Sequence, residues 1–422
     1  MNRLGLTLSL AARSLANRRL TATLTVLSIA VSVALVVGVE QVRTEAKRGF
    51  TNTISGADLI VGARSGQLNL LLYSVFRIGD PTNNVSFDNY QRIAARDDVA
   101  WTIPISLGDS HRGFRVMGTT DAYFQHYRFA DDRALTFADG APFKWVTDAV
   151  IGADVAAALG YSTGDPIVVS HGLGATSFQQ HTELPFTVSG VLQRTGTPVD
   201  RTVHVSLAGI EAVHNGWART PAARLPVVAA DAEQDALKPT SITAFVVGME
   251  SRIAIFGLQR AVNEFTGEPL LAIIPGVALQ ELWRLVGVAE TALFAVSAFV
   301  VVGGLIGLLT TLLTSLAERR REMAVLRAVG AGPGLVFALL IVEAWLLALI
   351  AGVVGVGVIH GAMWFARPFI LERFGLYLAG GGPGWFDTTV VIVVAAAAAI
   401  LGALPAWRAY RYSLADGLTV RT

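Results

Sequence analysis

The segment Ser315–Leu335, with the sequence SLAERRREMAVLRAVGAGPGL, separates two long apolar stretches of the chain. Its charged residues are four arginines and two glutamates: Glu318, Arg319, Arg320, Arg321, Glu322 and Arg327. Met323, Leu326 and Val329 recur every third residue, which predicts a short helix with one apolar side. The run Gly330–Gly334 follows and is typical of a helix end and a turn. We therefore expect an amphipathic helix at a membrane surface, where a partner can push it.

The composition indicates the class of protein. Of the 422 residues, 53% are hydrophobic and 15% are charged, whereas soluble domains carry about 25% charged residues. The mean hydropathy is +0.52, and several apolar runs approach the length of about 20 residues that crosses a bilayer. These values predict an integral membrane protein. The net charge of +1 gives no basic signal for nucleic acid. The absence of cysteine excludes disulfides and thiolate metal sites.

Four apolar stretches predict transmembrane helices at 20–39, 287–316, 335–358 and 388–404. The polar sequence after residue 39 lacks a small-residue cleavage site, which favours an uncleaved first span over a signal peptide. Small residues four positions apart let helices approach closely in lipid. Such stripes occur at Ala30, Ala34 and Gly38, at Gly303 and Gly307, and at Gly357 and Gly361.

An acidic residue, Glu343, falls inside the third predicted span. It lies about 12 Å of helix from the start of that span. A carboxylate within the membrane is costly and suggests a functional role. The alternative is a carboxylate near a wet interface that bonds to Ser, Thr or backbone of a neighbouring helix. The sequence leaves both interpretations open.

The segments between the spans differ in character. Residues 1–19 carry arginines without acids and predict a helix lying in the cytoplasmic interface, or else a basic flank of the first span. Residues 40–286 are polar and mixed. Within them, alternating runs predict strands at Asp58–Val61, Ala149–Ile151, Ile167–Ser170, Phe186–Leu192, Thr202–Ser206 and Ile242–Val247. Helical patterns are interspersed, so we expect an α+β domain.

The predicted fold is an α-helical membrane protein with four transmembrane helices plus an α+β extracytoplasmic domain inserted between the first and second spans. Residues 317–334 form the cytoplasmic helix described above, 359–387 an aromatic external loop, and 405–422 a basic cytoplasmic tail. Arginines and lysines are more frequent beside the span ends that share a side with the N-terminus. This bias predicts that both termini are cytoplasmic.

The sequence contains few motifs that indicate nucleotide binding or metal binding. No Gly-Lys pair occurs, so the chain lacks the phosphate-binding loop Gly-x-x-x-x-Gly-Lys-Ser/Thr, and any ATP must be bound by another chain. The histidines are the remaining candidates for metal binding: His111, His126, His171, His181, His204, His214 and His360. None forms a zinc-binding pair of the usual short spacing, so surface or structural histidines are favoured over a metal site.

Several segments resemble one family of membrane proteins. The sequence ERRREMAVLRAVGAGPG, residues 318–334, resembles the signature after the second span of FtsX-like ABC permeases, relatives of MacB, LolC and LolE. The tail PAWRAYRYSLADGL, residues 405–418, is similar to the family's ending, although Leu414–Leu418 lacks the usual proline. DAVIGADVAAALGYSTGDPIVV, residues 148–169, and LPFTVSGVLQRTGTPVDRTVHVSL, residues 184–207, are similar to the MacB-like periplasmic core domain.

The resemblance implies a mechanism. Such type VII permeases dimerise, as homodimers or heterodimers, and bind a separate ATPase that holds ATP and Mg²⁺, so the chain itself would be non-catalytic and free of cofactors. Arg319–Ala331 would be the coupling helix seated in that ATPase. Closure of the ATPase would move the second span and, through Val277–Val286, the external domain. The resemblance also implies the bacterial inner membrane, a periplasmic adaptor or substrate protein as partner, and two external lobes, with 122–227 inserted as one of them.

The substrate stays open at this point. Export, efflux, lipoprotein release and control of a cell-wall hydrolase all use this architecture. Two hypotheses of other classes are a membrane-anchored sensor or scaffold without an ATPase, and a membrane-anchored zinc enzyme that uses the external histidines.

Overall fold

The chain forms two units in the computed structural model, which describes residues 3–51, 53, 55–130, 132–171, 184–214, 225–227, 237–318, 325, 327–374 and 382–411. A helical unit comprises Met1–Glu45, Gly287–Arg367 and Ala379–Thr422. An α+β unit comprises Ala46–Val286 and Pro368–Leu378.

Among the described residues the α-helices are, in chain order, α1 (Arg3–Asn17), α2 (Arg19–Thr51), α3 (Gln67–Ser74), α4 (Phe87–Ala94), α5 (Ala122–His126), α6 (Ala153–Leu159), α7 (Leu207–His214), α8 (Ile255–Asn263), α9 (Pro275–Glu318), α10 (Pro333–Phe374) and α11 (Trp385–Arg411). Four of them contain stretches that are long and apolar enough to cross a membrane: Arg19–Glu45, Pro275–Leu316, Pro333–Ile370 and Trp385–Arg408.

All four long helices extend beyond their predicted spans. Helix α2 continues past residue 39 to Thr51, and α10 continues through most of the predicted loop 359–387 to Phe374. The prediction of a loop at 359–374 is therefore wrong. Hydropathy reports where the apolar stretch ends, but a helix continues wherever good helix formers follow. Pro368 removes one backbone hydrogen bond inside α10 without ending the helix.

The core of the helical unit lies among α2, α9, α10 and α11. Helix α2 contributes Ile29, Val33 and Val37, which are at most 1% exposed. The other three helices contribute Leu308, Leu312, Leu347, Ala348, Ala351, Val394 and Ala398 to the same buried cluster. Since lipid is as apolar as these side chains, close packing rather than the hydrophobic effect stabilises the cluster.

The strands of the α+β unit are β1 (Leu59–Ala63), β2 (Val85–Ser86), β3 (Val99–His111), β4 (Phe114–Thr119), β5 (Arg128–Phe129), β6 (Arg133–Ala134), β7 (Phe137–Gly140), β8 (Asp148–Ile151), β9 (Pro166–Ile167), β10 (Ser170–His171), β11 (Phe186–Leu192), β12 (Thr202–Ser206), β13 (Ser241–Ile242), β14 (Ala244–Met249) and β15 (Leu270–Ile273). Among the described residues, one 11-stranded sheet has the order β15-β1-β14-β3-β4-β12-β8-β11-β7, with β9 paired to β11 and β10 to β3.

Strand β3 joins the two halves of this sheet. The part from Val99 to Ile105 pairs with β14, and the part from Ser106 to His111 pairs with β4. The pairs β4–β12 and β8–β11 are parallel, whereas β14 pairs antiparallel with both β1 and β3. The mixed pairing agrees with the predicted α+β class. The division into two lobes at 122–227 stays a prediction.

Separate apolar clusters cover the two halves of the sheet. One contains Phe245 of β14 and Leu258 of α8. Another contains Val203 of β12 and Phe186 of β11. All four side chains are 0% exposed. Burial of each such side chain contributes about 1.5–3 kcal/mol, so these two clusters stabilise the two halves of the sheet, whereas a further cluster that contains Ile60 of β1 and Val150 of β8 is shared by both halves.

Candidate functional site

The segment between α9 and α10 is described only in part. Arg319–Met323 and Leu326 lie outside the described residues, as does the side chain of Glu318. The described remainder is helical at its end, since Val329 N–H donates to the carbonyl of Val325 over 3.1 Å. Gly330 follows with φ +99°, a conformation that favours glycine and ends the helix. Helix α10 begins three residues later at Pro333.

The two long helices that flank this segment are packed together. Leu316 near the end of α9 contacts a cluster with Val336 and Leu340 of α10 and Ala406 of α11. All four side chains are at most 5% exposed. The ends of three long helices therefore pack together in one apolar cluster next to the segment between α9 and α10. A displacement of the segment has to be shared among them, because a packed core does not deform continuously.

Two valines of this segment have exposed side chains. Val325 is 53% exposed and Val329 is 84% exposed. Their four-residue spacing puts them on the same side of a helix. The three-residue repeat predicts an apolar side of Met323, Leu326 and Val329. It omits Val325, which only a four-residue repeat relates to Val329. Coupling through Glu318, Arg319, Arg320, Arg321, Glu322, Met323, Leu326, Arg327 and Gly330 stays a prediction.

Glu343 has a partner on the N-terminal helix. The Ser14 hydroxyl of α1 donates to Glu343 Oε1 of α10 over 3.4 Å, and Glu343 is 3% exposed. Ala11, one turn earlier in α1, is 0% exposed, and Leu15 packs against the core of the helical unit. Helix α1 is thus docked on the bundle, and the carboxylate bonds to a serine of a neighbouring helix.

Replacing Glu343 with leucine is expected to release α1. An ordinary hydrogen bond contributes about 0.5–1.5 kcal/mol, so its loss should raise the maleimide labelling rate of a single Ala11→Cys probe about fivefold. The Glu343→Gln variant keeps an oxygen acceptor and should keep the protection. A cysteine at the exposed position Ala12 is the control and should label at one rate in all backgrounds. Unchanged labelling of Ala11→Cys in Glu343→Leu would contradict the docking role.

The predicted small-residue stripes make contacts that differ from helix to helix. Ala30 is 3% exposed, and its carbonyl oxygen would lie 2.5 Å from a Cβ placed on Gly355 of α10. A Cβ on Gly38 would meet Ile359 at 3.0 Å. Ala34 is half-buried. The close approach of α2 and α10 therefore involves Gly355, which the sequence analysis did not single out.

On α9 the contact with α2 is made by Gly304, where a Cβ would meet Ser32 Oγ at 3.0 Å. Gly307 lines an open groove of about 200 Å³ between the two helices. A Cβ on Gly303, Gly307, Gly357 or Gly361 would meet no atom of the described chain within 4 Å. Within the described part of the chain, no neighbouring helix approaches these four glycines that closely. Close helix packing at Gly303, Gly307, Gly357 and Gly361 stays a prediction.

At another place in the helical unit, polar side chains connect three helices. His360 of α10 lies between Asp387 of α11 and Gln41 of α2, with Nε2 at 3.0 Å from Asp387 Oδ2. Arg43 of α2 lies 3.8 Å from Glu290 of α9. These contacts are not predictable from the sequence, because the residues are far apart in the chain and match no motif.

The α+β unit contains a buried histidine in an apolar and aromatic setting. His204 of β12 is 0% exposed, and the ring centroid of Tyr123 lies 5.1 Å away. Its Nδ1 lies 3.2 Å from the carbonyl of Val150. Burial, together with the nearby charge of Arg77, lowers the pKa of His204 to about 3. The imidazole is therefore neutral at physiological pH, with Nδ1–H as the donor.

The other described histidines also have structural contacts. His111 bonds to Val168 O and to the Tyr161 hydroxyl, and His126 stacks on Trp101 with ring centroids 5.0 Å apart. His214 lies on α7, 3.8 Å from Asp109. His181 and the side chain of His171 lie outside the described residues. Within the described ranges, no group of three or more His, Asp or Glu side chains could hold a metal ion.

Two protein-family models match parts of the chain. The family model "FtsX-like permease C-terminal" matches residues 294–414, and the model "MacB-like periplasmic core domain" matches residues 22–240. No curated protein matches the chain significantly. Among solved structures, the extracellular domain of the noncanonic ABC-type transporter YknZ from Gram-positive bacteria is 14% identical, with a TM-score of 0.30. That match covers 51% of this chain and 99% of the other.

Proposed function

Since the chain belongs to the family of FtsX-like permeases with a MacB-like periplasmic core domain, we propose that it transmits force from a separate ATPase to its own α+β domain. Families of this kind supply ABC transporter permeases, which are generally non-catalytic transport subunits. The ATPase would bind ATP and Mg²⁺, and work would be done outside the membrane in export, efflux or lipoprotein release.

In this proposal the four apolar helices span the bacterial inner membrane with both termini in the cytoplasm. The α+β domain then follows the first span on the periplasmic side. The permease pairs with a second copy or a second permease, and a periplasmic adaptor or substrate protein completes the assembly. Control of a cell-wall hydrolase is a variant of the same mechanism.

The observation that carries the proposal is the exposed pair Val325 and Val329 beside the turn at Gly330. Exposed apolar residues at helical spacing are typical of a helix that docks in a groove of a partner. The apolar cluster of Leu316, Val336, Leu340 and Ala406 lies at the flanks of that helix. A force applied to the exposed valines would therefore reach α9, α10 and α11 together.

Replacing Val329 with aspartate is expected to abolish binding of the ATPase. A carboxylate pressed into an apolar groove costs several kcal/mol, so recovery of the ATPase should fall more than about tenfold. The measurement is a pull-down from detergent-solubilised membranes, with co-purifying proteins identified by mass spectrometry.

The matched control is Ile253→Asp, which makes the same change at a residue of the α+β unit that is 90% exposed. This variant should retain the ATPase. If no ATPase co-purifies with the wild type, under conditions that preserve a known permease complex, the proposal that a separate ATPase drives this chain is wrong. A membrane-anchored sensor or scaffold would then explain the chain better.

A further inference from the structure

The turn that follows helix α3 directs an arginine side chain into the α+β unit. Arg77 has φ +60°, a left-handed conformation that is unfavourable for residues other than glycine. Its Nη2 donates to Met117 Sδ of β4 over 2.7 Å. Met117 is 0% exposed and belongs to the same apolar cluster as Tyr123 of α5. The guanidinium therefore lies against the core of this unit and not in solvent.

The guanidinium has poor hydrogen-bond partners in this position. Its Nε and Nη1 are so deeply buried that no water molecule can contact them, and neither makes a hydrogen bond to a described residue. The Tyr123 hydroxyl is close enough to interact with the charge of Arg77, but the two groups do not have the geometry of a hydrogen bond. The thioether sulfur of Met117 is only a weak acceptor. Burial accordingly lowers the pKa of Arg77.

The charges around Arg77 do not compensate for its burial. Arg115 has the same sign and repels the guanidinium. The buried carboxylate of Asp200 instead accepts from the backbone N–H groups of Thr195 over 2.8 Å and of Gly196 over 2.7 Å. A buried cation without an opposite charge is unfavourable, because nothing offsets the loss of its hydration. Removal of the charge should therefore stabilise the arrangement in which this side chain is buried.

Other contacts hold the turn in place. Arg115 Nη2 of β4 donates to Gly79 O over 2.7 Å and to Asp80 Oδ1 over 3.1 Å. The Asp80 side chain is 74% exposed, so this contact lies at the surface of the unit. The backbone N–H of Ile78 donates to the carbonyl of Leu72 in α3 over 3.1 Å. These bonds favour the closed turn, whereas the buried guanidinium opposes it.

Outward movement of residues 77–80 would change what the α+β unit exposes. The guanidinium would regain contact with water, and the groups beside it, Tyr123 and His204, would be uncovered. Both residues are at most 1% exposed, and Tyr123 Oη and His204 Nε2 make no hydrogen bond to a described residue. A segment opens locally, without unfolding of the whole unit, when few favourable contacts are lost by the opening.

We propose that residues 77–80 form a latch on the α+β unit that opens locally and uncovers Tyr123 and His204. Arg115 holds the latch closed, and the buried charge of Arg77 keeps it close to opening. The latch lies within the α+β unit and its opening needs no ATPase, so it is independent of the proposed function.

Hydrogen exchange of the Ile78 amide in the purified full-length protein, corrected for the intrinsic rate, measures how often the latch opens. Arg77→Met keeps a long side chain in the core but removes the charge, so exchange should become at least about tenfold slower. Arg115→Met removes the two bonds on the outer side and should accelerate exchange about tenfold. Replacement of an arginine that only stabilises the turn would accelerate exchange, so the opposite signs distinguish the two roles.

A control and a second measurement complete the test. Arg92→Met makes the same change at an exposed position of α4 and should leave the exchange of Ile78 unchanged. Modification of His204 by diethyl pyrocarbonate, located by mass spectrometry, reports what the latch uncovers. Its rate should fall in Arg77→Met and rise in Arg115→Met, because the reagent needs an accessible neutral imidazole.

Two kinds of result would overturn the proposal. Faster or unchanged exchange of Ile78 in Arg77→Met, or failure of this variant to fold, would show that the buried guanidinium does not oppose the closed turn. Slower exchange of Ile78 without slower modification of His204 would show that the turn opens without uncovering the core.

Discussion

Replacing Gly355 with valine is expected to prevent normal packing of α2 against α10 and to remove most of the folded protein. A Cβ at Gly355 would lie 2.5 Å from the carbonyl oxygen of Ala30 and 3.0 Å from Cβ of Val33. Neither atom can move aside by a change of rotamer, so α2 has to shift as a whole. Overpacking typically costs 1–3 kcal/mol, and we expect a cost at or above about 3 kcal/mol here.

The effect is large because α2 takes part in the core of the whole helical unit. Val33 is 0% exposed and belongs to the buried cluster that includes Leu308 of α9 and Ala398 of α11. A shift of α2 away from α10 therefore also loosens its contacts with the other long helices. Van der Waals packing is the main stabilising interaction between helices in lipid, so these losses are not offset by apolar burial elsewhere.

The matched control lies two residues away on the same helix. A Cβ at Gly357 would meet no described atom within 4 Å, so Gly357→Val should fold like the wild type. The measurements are the yield of monodisperse protein in gel filtration and the midpoint of thermal unfolding in detergent. Equal losses in both variants would show that valine in α10, and not the close approach at Gly355, is responsible. A folded Gly357→Val protein with a changed oligomeric state would support contact of Gly357 with another molecule.

These glycines also show what the sequence can and cannot predict about packing. Helix α10 carries glycines at 352, 355, 357 and 361, so two pairs, 352/355 and 357/361, satisfy a three- or four-residue spacing. Spacing establishes that two residues share a side of the helix, but not which side the neighbouring helix occupies. That choice depends on side chains of α2 such as Val33. Gly355 and Gly304 were therefore missed, although the long helices that carry them were predicted.

Strands were predictable where a short run alternates or is rich in β-branched residues. Strand β12 was predicted with its observed bounds, Thr202–Ser206, although all five residues are buried. Strand β11 alternates between buried and more exposed residues, and its predicted bounds, Phe186–Leu192, match the structure. Strand β3 was missed, although it is the longest in the sheet. Its sequence includes Pro104 and Gly108, and several consecutive residues in its second half are buried. Neither feature gives the alternation that identifies a strand.

Contacts among distant polar residues could not be predicted from spacing. Gln41 and His360 are 319 positions apart, and His360 and Asp387 are 27 apart. No motif relates residues at such separations, because their contact is a product of how the long helices pack. Glu343 was identified from the sequence, since a carboxylate in an apolar stretch is conspicuous. Its partner Ser14 was not, because a serine in an amphipathic helix is unremarkable.

Acidification is expected to destabilise the α+β unit through His204. Burial, and then the charge of Arg77, lowers the pKa of this histidine from 6.5 to about 3. Below pH 6.5 the unfolded chain therefore takes up a proton that the folded chain does not bind. The free energy of unfolding should fall by about 1.4 kcal/mol for each pH unit below 6.5, until the pH approaches the folded value.

Buried carboxyl groups act in the opposite direction and have to be separated from this effect. Burial raises the pKa of Asp200, which is 1% exposed, and also that of Asp121, Asp154 and Glu211. The folded chain takes up these protons before the unfolded chain does, so they favour folding as the pH falls. The difference between wild type and a His204 variant cancels their contribution, because both proteins retain all four carboxyl groups.

His204→Asn is the suitable variant, because its amide nitrogen can still donate to Val150 in place of Nδ1. It loses ring contacts with Tyr123, so it should be less stable than the wild type at pH 8. Its stability should nevertheless decline less steeply between pH 6.5 and 4.5.

Hydrogen exchange of β12 amides in the full-length protein, corrected for the intrinsic rate, measures the free energy of opening. Parallel curves for wild type and His204→Asn would show that the imidazole takes up its proton in the folded protein as readily as in the unfolded chain.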